Sequence, residues 1–479
     1  MKARRGLRQG DPISPLLFVV VMEYLHRTLQ RLTKVPDFNF HSKCENLSII
    51  NLSFADDLLI FTRGDTKSVE LVMDKLQDFS RSTGLYVNPS KCKVFYGAVE
   101  EHIKESIKKV TSFVEGSLPF KYLGVPLTSK KLSIHHYMPL VDRIVERIRT
   151  WSAKLLSHAG RLQLISSVTF AVANYWMQCL PLPKKVIHKI DAICRSFLWT
   201  GGAVVTSKSP VAWKHVCAPK AQGGLNLLSL EEWNRANLTK LLWNIHNKAD
   251  SLWIRWIHSY YIKQDQLMTM PVNQSCSWIL KTILKQRESI PYIQGWENMK
   301  GKAITRTVYK LLREDYPLVD WKTVMYQNMA RPRAVFIFWL ACHSRLATKD
   351  RLLKFGLNVN SQCCFCNQEE SINHLFFGCT DMKLVWQKVL QWLQVDHVPM
   401  AWSGELRWIT RQSKGKGWKA QLLKSAAAET IYALWKYRND VCFGNKVYNT
   451  NIDEDIINTI VYRGWRIAKL RKHIAHLLI

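Results

Sequence analysis

The chain has 479 residues, with 68 Lys+Arg against 37 Asp+Glu and a formal charge of +31. Hydrophobic residues make up 47% and charged ones 22%, which excludes a disordered or collagen-like chain and leaves room for roughly three domains of about 100–200 residues. A basic excess of this size favours a polyanionic partner, nucleic acid first among them. The early apolar run Leu16 to Met22 stops at Glu23, far short of the roughly 20 residues that span a bilayer. The expectation is therefore an intracellular chain, nuclear or cytoplasmic, with no membrane partner. In such a reducing compartment the 12 cysteines read as thiols or metal ligands. All 19 tryptophans lie from Trp151 onward, which marks a seam between two differently built halves.

The first element is the glycine- and proline-punctuated run Gly6-Leu7-Arg8-Gln9-Gly10-Asp11-Pro12-Ile13-Ser14-Pro15. Ser14 is a good N-cap and Pro15 suits a first helical position, so a helix is predicted through Leu16, Phe18, Val19, Met22, Leu25 and Leu29. A loop opening onto a helix N-terminus with Arg8 beside it can approach a phosphate. An ordinary capped loop is the alternative.

Two strand-like apolar runs then flank a carboxylate pair in Ile49-Ile50-Asn51-Leu52-Ser53-Phe54-Ala55-Asp56-Asp57-Leu58-Leu59-Ile60-Phe61. Adjacent carboxylates at the tip of an apolar hairpin are poor core residues. Strand side chains alternate faces, so Asp56 and Asp57 point apart unless the turn bends between them. Such carboxylates suit Mg²⁺, which takes one or two of them together with water and substrate phosphates. In a two-metal site they serve phosphoryl transfer; a solvated hairpin is the plainer reading.

Taken in order, Arg5 to Phe18 and then Phe54-Ala55-Asp56-Asp57 resemble the palm of a reverse transcriptase of the non-LTR (LINE-type) retrotransposon family, plant elements in particular. The likeness continues through Gly84-Leu85-Tyr86-Val87-Asn88-Pro89-Ser90-Lys91-Cys92 and Phe120-Lys121-Tyr122-Leu123-Gly124-Val125-Pro126-Leu127. It implies an RNA-directed DNA polymerase lineage with RNA and DNA, as primer and template, for partners. By the same resemblance the loop at Arg8, Gln9 and Gly10 lies against the incoming nucleotide and template. Asp56 and Asp57 are the implied catalytic pair at the Mg²⁺ ions, Asp56 the direct ligand, and the block from Phe120 to Leu127 supports the primer end.

The pattern also departs from the family. There, a further palm aspartate and the template-holding fingers precede the glycine-rich loop, whereas Met1 stands a few residues before it here. Asp11 belongs to the loop and Asp65 is expected to cap the next helix, so neither replaces that aspartate. The expectation is an amino-terminally truncated polymerase that is inactive as this chain, with an open sheet edge in its partial palm.

Helical spacing recurs in Tyr137, Val141, Ile144, Val145, Ile148 and Trp151, then in Ile165, Val168, Val172, Tyr175, Trp176 and Cys179 up to Pro181. A third series, Ile187, Ile190, Cys194, Phe197 and Leu198, ends at Gly201-Gly202. Arg143 and Arg147 lie on the polar side of the first, while Lys184, Lys185, Lys189 and Arg195 decorate the third. After the palm blocks these read as a thumb whose Arg143, Arg147, Lys184 and Lys185 track a nucleic-acid backbone. A solvated basic face is the alternative. The tryptophans between 206 and 330 read mainly as core.

Cys363-x2-Cys366-x7-His374-x4-Cys379 offers three thiolates and one imidazole, the donor set of a closed, structural Zn²⁺ site. Cys364 competes in register with Cys363. The arrangement, with His374-Leu375-Phe376-Phe377, Trp386 and the upstream helix Pro332 to Leu340, is similar to the zinc-binding segment downstream of the reverse transcriptase in these retrotransposons. Beyond residue 400 the chain is basic at Arg407, Arg411, Lys414, Lys416 and Lys419, and again at Arg463, Arg466, Lys469, Arg471 and Lys472. No ribonuclease H pattern is visible.

The predicted fold class is α+β: a partial palm (1–130), a helical thumb-like region (131–205), a Trp-rich helical connection (206–330), a zinc-binding domain (331–400) and a basic helical C-terminal region (401–479). The alternative function is a non-catalytic zinc- and nucleic-acid-binding protein derived from a retrotransposon. The sequence sets no oligomeric state.

Overall fold

The structure, a computed structural model, describes residues 10–150, 156–206, 209–272, 274, 276–293, 295–296, 299, 303–444 and 451–478. Arg8, Gln9 and Trp151 lie outside the described residues. The fold is mainly helical with a few short strands, in line with the α+β expectation. It divides into two compact units, Met1–Ser133 with Leu238–Ile304, and Ile134–Asn237 with Thr305–Ile479.

In the first unit, helix α1 (Ser14–Gln30) buries Leu25 and Leu29. Ser14 is the first helical residue rather than the cap, and Pro15 the second. The turn before the helix is held by Asp11, whose carboxylate accepts from the Ile13 amide at 3.0 Å. Helix α2 (Thr66–Thr83) is capped as expected: the Asp65 carboxylate accepts from the Ser68 amide at 2.8 Å and from its hydroxyl at 2.9 Å. That capping role leaves Asp65 committed to the helix start. Between the helices, β1 (Asn51–Phe54) and β2 (Asp57–Ile60) form an antiparallel hairpin. Leu25, Leu29, Leu32, Phe38, Ile50, Val72, Leu76 and Phe79 make the core, and Leu58 and Ile60 of β2 pack on it.

Among the described residues β1 and β2 pair only with each other, so both outer edges stay open. The first half of α1 keeps Leu16, Val19 and Val20 on the surface. Farther on, β3 (Lys93–Val94) pairs in parallel with β4 (Val114–Glu115) after helix α3 (Glu101–Thr111). A second hairpin joins β5 (Phe120–Tyr122) to β6 (Val125–Leu127). Its two turn residues, Leu123 at φ 48° and Gly124 at φ 84°, both take the left-handed backbone that matches strand twist in a two-residue turn.

The second unit opens with the three helices read from the periodicity. Helix α4 (Met138–Thr150) buries Leu140, Val141, Ile144 and Ile148. Helix α5 (His158–Leu164) leads through a π-turn into α6 (Phe170–Cys179). Helix α7 (Lys184–Thr200) ends at Gly201, whose φ of 83° is open to glycine and strained for other residues. Several tryptophans act as core, and some of their indoles find acceptors. Trp233 donates to Asn174 Oδ1 at 2.7 Å and Trp339 to the Gly223 carbonyl at 2.7 Å.

Asp191 on α7 is an exception to good pairing. Burial, reinforced by Glu232 and Glu231 and opposed by the Trp213 indole and Arg195, pushes its carboxyl up to about 7 from 3.8. Between pH 3.8 and about 7 the native state holds a proton that the unfolded chain has released. Stability therefore falls as pH rises through that window and levels off above it. An Asp191→Asn variant is expected to melt higher than the parent at pH 8 and at the parent's temperature at pH 4. Equal shifts at both values would remove Asp191 as the cause.

The rest of this unit is built around α11 (Trp418–Phe443), with α8 (Pro332–Cys342), α9 (Thr380–Trp392), α10 (Trp402–Gln412), α12 (Ile452–Trp465) and α13 (Ala468–Leu477). Helices α8 and α12 both pack on α11. Three buried carboxylates tie the assembly together. Glu429 takes the Arg331 guanidinium at 2.7 Å, Glu405 accepts from the Trp386 indole at 2.7 Å and the Met400 amide at 2.9 Å, and Glu370 holds Arg438. Buried charges persist only where geometry of this kind satisfies them.

Candidate catalytic hairpin and metal centre

Register explains where the two aspartates go. Phe54 faces Asp57 across the hairpin, and Ser53 faces Leu58. Leu58 and Ile60 turn inward to the core, so the alternate positions Asp57 and Leu59 take the other face, with Phe54 and Leu52 opposite. Asp56 sits in the two-residue turn after Ala55, whose φ of 50° is a left-handed conformation uncommon for a residue with a Cβ. Both carboxylates are exposed. Burial, with a further push from the Asp57 charge, raises the Tyr122 phenol. Gly10 has a φ of 90°, a backbone available to glycine at little cost.

The hairpin carries two carboxylates and no more. Among the described residues, no third Asp, Glu, His or Cys joins Asp56 and Asp57 in a group spaced to hold one ion.

The basic residues of the predicted thumb lie on two neighbouring helices. Arg143 and Arg147 are exposed on α4, and Lys184 and Lys185 are exposed on α7, which packs against α4. Lys184 forms a 2.9 Å ion pair with Glu231, which offsets part of its charge.

The cysteine–histidine segment is built from short local devices. Gln362 and Glu369 form a β-bridge, and the Cys363 amide donates to the Gln368 carbonyl at 2.6 Å, folding Cys363-x2-Cys366 into a tight turn. Ser371 caps the one-turn helix Ile372–Leu375 that presents His374. The Cys379 amide donates to the His374 carbonyl at 2.7 Å, bringing Cys379 back to the histidine at the start of α9. Gly378 permits this return, since a Cβ there would lie 3.0 Å from both Cα and O of His374.

Sγ of Cys363, Cys366 and Cys379 and a ring nitrogen of His374 all lie within 4.8 Å of one another, and Cys366 Sγ is 3.1 Å from His374 Nε2. Tetrahedral zinc with bonds of about 2.0–2.3 Å spaces its donors within that range. Hydrogen bonds from the Cys364 and Cys379 thiols hold the Cys363 thiol well below the usual thiol range, and the Phe365 and Cys366 amides add to this. Cys379, the partner in that bond, is pushed up. The donors fit a closed Cys3His site, and Cys363 and Cys379 are buried. Cys364 approaches Cys442, a neighbour 78 residues away that no local spacing announces.

Residues 1–127 match the family described as reverse transcriptase (RNA-dependent DNA polymerase), and residues 304–386 match the family described as zinc-binding in reverse transcriptase. These two segments are thus similar to reverse-transcriptase and reverse-transcriptase zinc-binding sequences, and several relatives are named for retrotransposable elements. Among similar proteins, one of Arabidopsis thaliana named for ribonuclease H is 27% identical over 38% of this chain and 30% of its own length. The Pol polyprotein of a type-2 retrotransposable element of Drosophila melanogaster is 28% identical over 47% of this chain and 21% of its own. That of a type-1 element of Popillia japonica is 24% identical over 40% and 31%. The match thus spans less than a third of the length of each of these relatives. Among the described residues no helix is long and apolar enough to cross a membrane.

Proposed function

We propose that this chain is a nucleic-acid-gripping part of a retrotransposon's RNA-directed DNA polymerase, and that the polypeptide by itself does not polymerise DNA. One observation carries the second half: Asp56 and Asp57 stand exposed on a two-stranded hairpin with no third ligand grouped with them among the described residues. Asp56 and Asp57 would hold Mg²⁺, whose part in the chemistry is to activate the attacking hydroxyl and stabilise the leaving oxygen. An ion held by two exposed carboxylates is weakly bound and loosely placed, and phosphoryl transfer is sensitive to placement.

In this reading 1–130 is the palm part, 131–205 the thumb and 206–330 the connection. The zinc-binding domain is 331–400, with structural Zn²⁺ on Cys363, Cys366, His374 and Cys379, and 401–479 adds basic surface. Arg8, Gln9 and Gly10 approach nucleotide and template. Arg143, Arg147, Lys184 and Lys185 contact the phosphate backbone of a primer–template, in the nucleus or cytoplasm. The incomplete carboxylate set equally favours the second reading, a zinc- and nucleic-acid-binding protein kept for binding.

Primer extension on an RNA template with Mg²⁺ separates the possibilities. Incorporation by the parent is expected to equal that of an Asp56→Ala control, whereas Asp56-dependent incorporation would establish an active polymerase. Fluorescence anisotropy on the same duplex is expected to show binding that weakens steeply with salt. Replacing Arg143, Arg147, Lys184 and Lys185 together by alanine should flatten the log–log salt slope by about 3 to 4, at roughly 0.9 per phosphate contact. An unchanged slope would remove these four from the interface.

A further inference from the structure

A second group of soft donors lies beside the Cys3His cluster. Cys442 sits in the last turn of α11, and its Sγ is 3.0 Å from Cys364 Sγ. A carboxylate oxygen of Glu370 is within 4.8 Å of both sulfurs. Cys364 and Cys442 are free, half-buried thiols, and Glu370 is fully buried. We propose that Cys364, Cys442 and Glu370 form a second site for a soft divalent cation such as Zn²⁺, with two thiolates as principal ligands and one position open to solvent.

Three observations support it. Placement is rigid: Phe365 stacks on Tyr437 at 5.4 Å between ring centres, and Glu370 grips Arg438 through two of its nitrogens. These contacts bracket the two sulfurs and fix the Cys364 turn against α11. The sulfurs are also near enough to share an ion, though closer than a bound pair. Two thiolates on one tetrahedral zinc are about 3.8 Å apart for bonds of about 2.3 Å, so a small opening admits the ion. The neighbouring Cys366–His374 pair, at 3.1 Å, is similarly close.

Charge also balances. The Arg438 guanidinium and the Glu370 carboxylate cancel, so two thiolates and one divalent cation bring the buried group to neutrality. Two thiol protons, one from each sulfur, leave when the ion binds. The half-buried sulfurs leave the ion accessible, in contrast to the closed set of four donors next to it. The site stands apart from the Cys3His reading, because the two share no ligand.

Zinc measured by atomic emission tests it, on the full chain reconstituted with Zn²⁺ under reductant and then desalted. The parent is expected to carry about two ions, and Cys442→Ser and Cys366→Ser about one each. A Cys442→Ser chain with the parent's stoichiometry would overturn the second site. Loss of an ion in Cys442→Ser but not in Cys366→Ser would support it while removing the Cys3His reading.

Cadmium titration supplies a readout on the parent alone. Thiolate-to-cadmium charge-transfer absorbance should correspond to five ligating sulfurs per chain, from Cys363, Cys364, Cys366, Cys379 and Cys442, and should drop to three in a Cys364→Ser/Cys442→Ser chain. Absorbance for three sulfurs in the parent overturns the proposal. So does a Cys364–Cys442 disulfide detected by mass in protein purified without oxygen.

Discussion

Stripping zinc from the intact chain with a strong chelator is expected to open the segment from Gln362 to Cys379 while α2 and the core beneath the hairpin keep their protection. Ligand binding and local folding are coupled in a segment of this kind. The Cys363 turn is held by one bridge and a few backbone hydrogen bonds, and the helix bearing His374 is a single turn. Neither device is stable alone in water. A Cys3His site contributes on the order of 10 kcal/mol in isolated zinc-binding peptides.

The surrounding protein supplies part of the order here, since Phe377 stacks on Trp402 at 6.0 Å and lies 5.6 Å from Trp386. Even if only about 4 kcal/mol of the metal's contribution is local, amide exchange between 362 and 379 should speed up by roughly a thousandfold. Hydrogen exchange with and without chelator measures this directly. Unchanged protection across the segment would mean that packing alone holds it and that no structural ion is needed.

Arg438→Leu is expected to destabilise the second unit by about 3–5 kcal/mol, the cost of leaving a buried carboxylate without its partner. Arg438 is 1% exposed and Glu370 is 0% exposed. The guanidinium donates to both Glu370 oxygens, the Lys349 amide adds a third bond at 2.9 Å, and Arg438 also donates to Asn439 Oδ1 at 2.9 Å. Its guanidinium lies 5.2 Å from the Trp435 ring centre, so truncation removes packing as well.

Glu370 falls between Cys366 and His374 in sequence, so the pair fixes the ligand-bearing turn to α11. Loss of Arg438 should therefore loosen zinc retention along with the fold. Chemical denaturation of Arg438→Leu, Glu370→Leu and the double variant isolates the pair: the double should recover part of the loss, because no charge is then left buried alone. A double variant as unstable as the sum of the singles would show that the two residues act separately.

Legibility followed the range over which each feature is encoded. Asp65 capping α2, the helices through Val141 and Ile187, and the Cys363 to Cys379 spacing were all readable because their determinants sit within one or two turns of one another. Ser14 was misread as a cap for a related reason. The cap position is Ile13, which makes no side-chain cap bond, and Asp11 holds the preceding turn by accepting from the Ile13 amide. The hairpin, its tip carboxylates and an open edge were readable, but which strand positions turn inward was not, since that depends on which face α1 and α2 cover.

By itself the sequence determined the basic charge, the order of the reverse-transcriptase blocks, the α+β class and the four donors of the Cys3His group. All of these are compositional or local. Only the tertiary structure decided that Cys364 meets Cys442, that Glu370 meets Arg438 and that Glu405 receives Trp386. Those partners are 19 to 78 residues apart, and no periodicity links them. They meet because helices packing on α11 bury apolar faces first, and the polar groups carried inside must then find one another.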